Sequence, residues 1–155
     1  MKLNLVTHEN YMKDYRKRMK AKLGLPKPKK KVSISKLKKK ADTLFSLIIR
    51  SKGYCELMGL DGVKCGQVLQ CAHIETRGVL AIRWSEENAL CLCNGHHWFY
   101  TNNESKWQEV IKRLFPTKYK FYLKHKNDHM TETYDEVLSR LSLNRAFIED
   151  GVVRV

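Results

Sequence analysis

Hydrophobic residues recur every three or four positions over residues 33–52, a spacing that is typical of an amphipathic helix. The apolar positions of this helix are Ile34, Leu37, Ala41, Leu44 and Ile48. Ser33 or Ser35 is suited to cap its first turn, and Gly53 is suited to end it. Lysines at positions 36 and 38–40 occupy much of the opposite surface, which predicts either a ridge that faces DNA or an ordinary solvated face.

The same periodicity predicts three helices near the end of the chain. They cover residues 104–115, 117–126 and 134–147. Pro116 separates the first two and is compatible with the first turn of the second. Thr131 or Thr133 is the expected N-cap of the third. We therefore expect the C-terminal part, residues 104–149, to be helical.

The N-terminal part differs in character from the rest. Residues 8–23 predict a short basic helix with Tyr11, Tyr15 and Met19 on one face. Residues 24–32 contain two prolines and four lysines, which predicts an extended linker. The expected division is therefore a basic arm and linker over residues 1–32 and a folded domain over residues 33–155.

Alternation of apolar and polar residues at positions 68–74 predicts a strand. Leu69, Cys71 and His73 lie on one side of it, while Ala72 and Ile74 lie on the other. A polar turn follows at residues 75–78, so His73 is expected at the end of a strand and near the surface. The predicted fold class is α+β, mostly helical, with one small β-hairpin.

Charge is concentrated at one end of the chain. The formal net charge is +14, of which +13 falls on residues 1–50 and +1 on the remainder. Such a segment binds phosphate strongly at low salt, which favours a nucleic acid over an anionic membrane surface as the partner. No apolar run is long enough for a membrane span, and the N-terminus lacks the features of a secretory signal. We expect a cytoplasmic protein with reduced cysteines and no small-molecule substrate.

Metal-ligand residue types are crowded between residues 54 and 103. This stretch contains all five cysteines and three of the six histidines. Cys93 and His96 have the spacing of a zinc knuckle, and a turn that includes Asp61 and Gly62 lies between Cys55 and Cys65. The four residues Cys55, Cys65, Cys93 and His96 therefore predict a closed Cys3His structural zinc site. Cys71 and Cys91 have apolar neighbours and are expected to be buried as small hydrophobic residues.

The arrangement of these residues resembles the HNH, or ββα-metal, nucleases, and among them the small zinc-containing endonucleases of phages and prophages. The residues that carry the resemblance are Cys55 and Cys65, residues 70–74 with Arg77, the pairs Arg83-Trp84 and Asn88-Ala89, and residues 93–97 with Tyr100-Thr101. The resemblance implies a ββα-metal core over residues 54–103 with helices around it. It also implies hydrolysis of phosphodiester bonds in DNA, in a phage or its bacterial host, with DNA recombination as the process.

The resemblance further implies a role for each residue of the H…N…H series. His73 matches the general base, Asn88 holds the loop between strand and helix, and His97 is a ligand of the catalytic ion. That ion is expected to be Mg²⁺, Mn²⁺ or another divalent cation, in addition to the structural zinc. The residues expected to bind DNA phosphates are Arg77, Arg83, Lys38, Lys39 and Lys40. Surface salt bridges of the two arginines to Glu75, Glu86 or Glu87 are the alternative.

Two positions depart from the family pattern. Many members have Asp or His immediately before the base, whereas this chain has Ala72, and some have His where this chain has Thr101. The alternative function is therefore a zinc-stabilised nucleic-acid-binding protein that does not cleave its ligand.

Overall fold

The computed structural model describes residues 8–23 and 32–151 and divides the chain into two compact units, residues 1–31 and 32–155. The described part of the first unit is helix α1 (His8–Lys22). Tyr11, Tyr15 and Met19 lie on this helix with exposed fractions of 62%, 49% and 37%, so their stripe is open to solvent. The predicted linker lies outside the described residues, apart from Val32.

The second unit is mostly helical, as predicted. Its elements in chain order are α2 (Ile34–Arg50), β1 (Leu69–His73), β2 (Ala89–Cys93), α3 (Asn94–Thr101), α4 (Glu104–Leu114), α5 (Pro116–His125) and α6 (Tyr134–Glu149). The strands β1 and β2 pair antiparallel, with Cys71 opposite Cys91 and His73 opposite Ala89. A 3₁₀ turn, Glu86–Asn88, leads into β2.

One face of the two-stranded sheet packs on α2 and α6. Ala41, Phe45, Ile48 and Ile49 of α2 are buried there, together with Cys71 and Cys91 of the strands and Val137, Leu138 and Leu141 of α6. The prediction that Cys71 and Cys91 act as buried hydrophobic residues is confirmed, with exposed fractions of 7% and 0%. Burial also raises the pKa of Cys71 to about 12 and that of Cys91 to about 11, so both remain thiols at neutral pH.

The other face of the sheet packs on α3 and α4. Its core contains Ala72, Ile74, Leu90, Leu92 and Cys93 together with Tyr100, Trp107, Val110 and Ile111. Strand alternation thus places Cys71 and Ala72 in different cores, as the period of two predicted. Trp107 Nε1 also donates a hydrogen bond of 3.3 Å to the carbonyl oxygen of Ile74, which ties α4 to the end of β1.

Local signals locate the helix ends closely. Ser33 is the N-cap residue of α2, and Gly53 adopts a positive φ of 78° three residues after its last turn. Thr133 caps α6, and Glu136 completes a capping box with the Thr133 backbone. None of the described helices has both the length and the apolar character that a membrane crossing requires.

Candidate metal centre and adjoining cleft

Cys55, Cys65, Cys93 and His96 converge on one point, and their ligand atoms all lie within 4.8 Å of one another. Nδ1 of His96 is 3.6 Å from Sγ of Cys55, 3.6 Å from Sγ of Cys65 and 3.0 Å from Sγ of Cys93. A tetrahedral zinc ion with typical Zn–S and Zn–N bonds would place sulfur and nitrogen about 3.5 Å apart. The set can therefore hold a metal such as zinc, as the sequence predicted.

Contacts between β2 and the segment that connects α2 to β1 bring Cys55 to Cys93. The backbone N–H of Glu56 donates to the carbonyl of Cys91 at 2.9 Å, and the Glu56 carboxylate accepts from the Cys91 N–H at 2.6 Å. Lys52 neutralises the same carboxylate at 3.1 Å. Contacts with β2 thus hold Cys55 near the other ligands although it is ten residues from Cys65. These contacts cannot be predicted from the spacing of the cysteines.

The knuckle between Cys93 and His96 needs glycine because another loop approaches it closely. A Cβ on Gly95 would lie 2.8 Å from the Lys64 carbonyl oxygen and 3.1 Å from the Gly66 nitrogen. This approach lets the Gly66 N–H donate to Sγ of Cys93 at 3.1 Å. Side chains at position 95 would therefore push Cys65 away from the other ligands.

Electrostatics prepare Cys93 to be a ligand. Burial opposes its ionisation, but the backbone N–H and ring of His96 and the backbone N–H of Gly66 outweigh burial. Together they lower the pKa of the Cys93 thiol to about 6, so the thiolate dominates at neutral pH. Thiolate is the form that binds metal.

Asp61 orients His96 from behind, and the sequence prediction missed this role. Its Oδ1 lies 3.0 Å from Nε2 of His96, and its Oδ2 accepts from the Tyr100 hydroxyl at 2.7 Å. Nε2 therefore carries the proton and Nδ1 faces the three sulfur atoms, an arrangement common among metal-binding histidines. The signal was present in the sequence only as an Asp-Gly turn.

His73 lies at the end of β1 with its ring partly buried against Phe45. Its Nε2 donates to the carbonyl oxygen of Arg83 at 2.9 Å, which fixes the proton on Nε2 and leaves a lone pair on Nδ1. Among the described residues no fully buried side-chain nitrogen or oxygen lacks a hydrogen-bond partner, so Nδ1, which has none, is not fully buried. Burial lowers the pKa of His73 to about 4, so the ring is neutral at pH 7.

Asn88 is fully buried and holds the loop that connects β1 to β2. Its Oδ1 accepts from the Glu75 N–H at 2.8 Å, and its Nδ2 donates to the Ile82 carbonyl at 3.1 Å. The Asn88 carbonyl also accepts from the Ile74 N–H at 2.8 Å. The loop it organises lies between two strands, rather than between a strand and a helix as the resemblance implied, and includes the Arg83 carbonyl that binds His73.

Replacing Asn88 by Ala is expected to destabilise the domain by about 2–4 kcal/mol, because two buried backbone groups lose their partners. Urea denaturation followed by circular dichroism measures this change. Asn127→Ala, at an exposed position between α5 and α6, serves as the matched control and is expected to change stability by less than about 0.5 kcal/mol. Equal effects of the two substitutions would contradict the role of Asn88.

His97 lies one residue after the metal ligand His96 but points to a different place. Its Nδ1 contacts Oε1 of Gln70 at 2.5 Å, which leaves Nε2 with the lone pair. Burial and the nearby Arg77 lower the pKa of His97, so this ring too favours its neutral form.

A cleft of about 310 Å³ brings His73 and His97 together. Glu75, Thr101, Glu104 and Tyr122 also line it. Asn102 and Asn103 donate hydrogen bonds to backbone carbonyls of α3, whereas Glu104 lines the cleft. Two histidines and two glutamates therefore line the cleft.

A second groove adjoins His73 on the side of α2. It is lined by Lys39, Asp42, Thr43, Ser46, Arg50, Cys71, His73 and Arg77. Asp42 is neutralised by Arg83, whereas Lys39, Arg50 and Arg77 have no carboxylate within ion-pair distance among the described residues. The groove is thus a basic surface next to the partly buried ring of His73. Arg50 was not among the predicted phosphate-binding residues.

Arg83 and the lysines of α2 are distributed differently from the prediction. Arg83 binds both oxygens of Asp42, at 2.9 and 2.7 Å, and donates to the Arg77 carbonyl at 2.6 Å, so all its nitrogens are engaged within the fold. Its partner is Asp42 rather than one of the three glutamates. Lys38 lies over the ring of Tyr134, and consecutive helical residues diverge by about 100°, so only Lys39 of the three predicted lysines lines the groove.

Comparison of this chain with protein-family models, with curated proteins and with solved structures finds no match in any of the three. Within the described residues, the Cys3His cluster is the only group of three or more convergent metal-ligand side chains. The described residues thus define a mostly helical domain with one Cys3His cluster that could hold a metal and a histidine-lined cleft.

Proposed function

We propose that this protein is a metal-dependent HNH endonuclease that hydrolyses phosphodiester bonds in DNA. The observation that carries the proposal is the cleft shared by His73 and His97, which are 24 positions apart in the chain. The order β1, β2, α3 supports the proposal, because His73 ends the first strand and His97 lies in the helix that follows the second.

The state of His73 suits a general base. A neutral ring with its proton held on Nε2 by the Arg83 carbonyl can accept a proton only at Nδ1. In the proposed reaction, Nδ1 takes a proton from water, the water oxygen bonds to phosphorus, the bond from phosphorus to the 3′ oxygen breaks, and the released 3′ oxygen takes a proton from a solvent water molecule. The products carry a 5′-phosphate and a 3′-hydroxyl group.

The basic groove supplies the contact with the phosphates. Lys39, Arg50 and Arg77 line one surface with His73, so a phosphate chain bound along it would pass the base. Arginine and lysine at such a site provide affinity that does not depend on base sequence. The basic first 50 residues add to the same attraction.

The catalytic divalent ion would be held by His97 and Glu104. These residues contribute one imidazole nitrogen and one carboxylate, and a hard cation commonly completes its shell with water and phosphate oxygens. When bound, the ion stabilises the charge that develops on the phosphate and on the leaving oxygen. Glu104 would thus provide the carboxylate that is absent at Ala72, which lines the same cleft.

Glu104→Gln is expected to weaken Mn²⁺ binding by about tenfold or more, because the carboxylate supplies the only full negative charge assigned to the ion. Electron paramagnetic resonance of free Mn²⁺ measures the affinity with zinc already bound. Glu109→Gln, an exposed position on the same helix, is the matched control and should leave the affinity unchanged. Equal Mn²⁺ affinity of the two variants would remove Glu104 from the site.

Plasmid nicking tests the proposed function as a whole. The wild-type protein should convert supercoiled plasmid to open circles in the presence of Mg²⁺ or Mn²⁺ and not in its absence. The second candidate, a zinc-stabilised protein that binds nucleic acid without cleavage, is favoured because, among the described residues, no three metal-ligand side chains converge in the cleft. Binding without ion-dependent nicking would establish that candidate in place of the nuclease.

A further inference from the structure

Trp98 is the most exposed large hydrophobic residue among those described. Its exposed fraction is 71%, whereas Trp84 and Trp107 are buried at 3% and 8%. Within the described part of the chain, its ring has neither an aromatic nor a cationic partner. An indole ring has a large apolar surface, and this one is exposed beside His97, a residue of the proposed active site.

The surface around Trp98 continues into the proposed active site. Trp98 lines a shallow groove with Gln70, Asn94, Gly95, His97 and Thr101. His97 and Thr101 also line the cleft that contains His73, and His73 in turn lines the basic groove. The three surfaces thus share lining residues: His73 lines both the basic groove and the cleft, and His97 and Thr101 line both the cleft and the groove of Trp98.

We propose that Trp98 is a stacking platform for an unpaired nucleobase, so that the substrate is DNA with unpaired nucleotides beside the cleaved bond. The proposal rests on the proposed function for DNA as the ligand. Phosphates on the basic groove would direct the strand through the cleft, and the base beyond it would reach the indole. Stacking on an aromatic ring requires a base whose face is not covered by a neighbouring base, as in single strands, gaps and branches.

The chemistry of the groove favours a base over a protein partner. All its other lining residues are polar or glycine, so the apolar contact consists of one side chain. A stable protein interface needs roughly 800 Å² from each partner, which is several times what one tryptophan can contribute. A nucleobase matches a single ring in size, and Gln70, Asn94 and Thr101 offer polar groups around its edge.

Equilibrium binding without divalent ion tests the proposal, because no cleavage occurs under that condition. The probes are an oligothymidylate of about 12 nucleotides, a blunt duplex of the same length and a duplex with a short gap. Since the other two tryptophans are buried, quenching of the intrinsic fluorescence by the single strand reports mainly on Trp98.

The expected result separates the two kinds of DNA. Trp98→Ala should bind the single strand and the gapped duplex about 10- to 100-fold more weakly than the wild type, and Trp98→Phe within about threefold of it. Affinity for the blunt duplex should change by less than about twofold in both. Leu143→Ala, another exposed apolar position, is the control and should affect no probe. Zinc content and circular dichroism verify that each variant is folded.

Two results would contradict the stacking role of Trp98 and leave the proposed nuclease function unaffected. One is unchanged single-strand affinity in Trp98→Ala, and the other is an equal loss for single strand and blunt duplex. Conversely, the expected binding pattern in a protein that never nicks plasmid would support Trp98 as a base platform and refute the nuclease. A wild-type protein that binds none of the probes would refute both.

Discussion

Cys93→Ser is expected to release the zinc and to destabilise residues 32–151 by at least about 5 kcal/mol. Structural zinc contributes roughly 10–16 kcal/mol of binding free energy in small zinc domains, which is comparable to the whole stability of a domain. Replacing Cys93 should have a larger effect on stability than replacing another ligand. Its Sγ also accepts hydrogen bonds from the N–H groups of Gly66 and His96, and the residue is buried in the same core as α4.

Elemental analysis and thermal denaturation measure this effect. The wild type should contain about one tightly held zinc per chain, and Cys93→Ser should contain none and melt without a cooperative transition. Cys71→Ala and Cys91→Ala are the matched controls, because both cysteines are buried in the other core. Loss of zinc in Cys91→Ala, with zinc retained in Cys93→Ser, would contradict the assignment of the ligands.

His73→Ala is expected to slow plasmid nicking by about 10²- to 10⁴-fold while DNA binding stays within a few-fold of the wild type. The variant lacks the only base that we assign to the reaction, but it keeps Arg77 and the rest of the basic groove. His129→Ala, at an exposed position before α6, is the control and should nick at the wild-type rate. Equal nicking by wild type and His73→Ala would exclude His73 as the base.

The pH dependence of nicking gives a second readout of the same residue. Burial is the main reason that the pKa of His73 falls to about 4, well below the ordinary value of a histidine. A base acts when unprotonated, so a lowered pKa keeps it active to lower pH. The acidic decline of the rate, measured under single-turnover conditions, should therefore begin below about pH 5. A decline centred at 6.5 or above would contradict a buried neutral base.

Local features of the fold were predictable because they depend on neighbouring residues. The periodicity of α2 and α6, the capping residues Ser33 and Thr133, and the strand that ends at His73 all follow from short-range rules. Within α6, Val137 and Leu141 are buried, whereas Leu143 and Phe147 are exposed by 59% and 47%.

Some features of the candidate site were likewise predictable from the sequence, and others were not. Ligand type and the two-residue gap of the knuckle indicated Cys93 and His96, and the Cys3His cluster confirms that Cys55 and Cys65 join them. The partners of charged side chains were much harder to predict from the sequence. Arg83 pairs with Asp42, which is 41 positions away, and Asp61 reaches His96 from 35 positions away. Such contacts cannot be predicted from sequence spacing, because they form only when separate elements pack together.

The sequence by itself determined which residues are available for chemistry and on which local element each one lies. His73 at a strand end, Asn88 before the next strand and His97 beside a zinc ligand were all readable, because periods of two and 3.6 assign a residue to a strand or a helix. Only the tertiary structure decided which of them face one another. Packing of β1 against α2, α3 and α4 places His73 between a basic groove and a cleft that holds His97 and Glu104. The physical reason is that burial of the two apolar faces of the sheet sets the positions of the helices, and the polar side chains at their edges are brought together as a consequence.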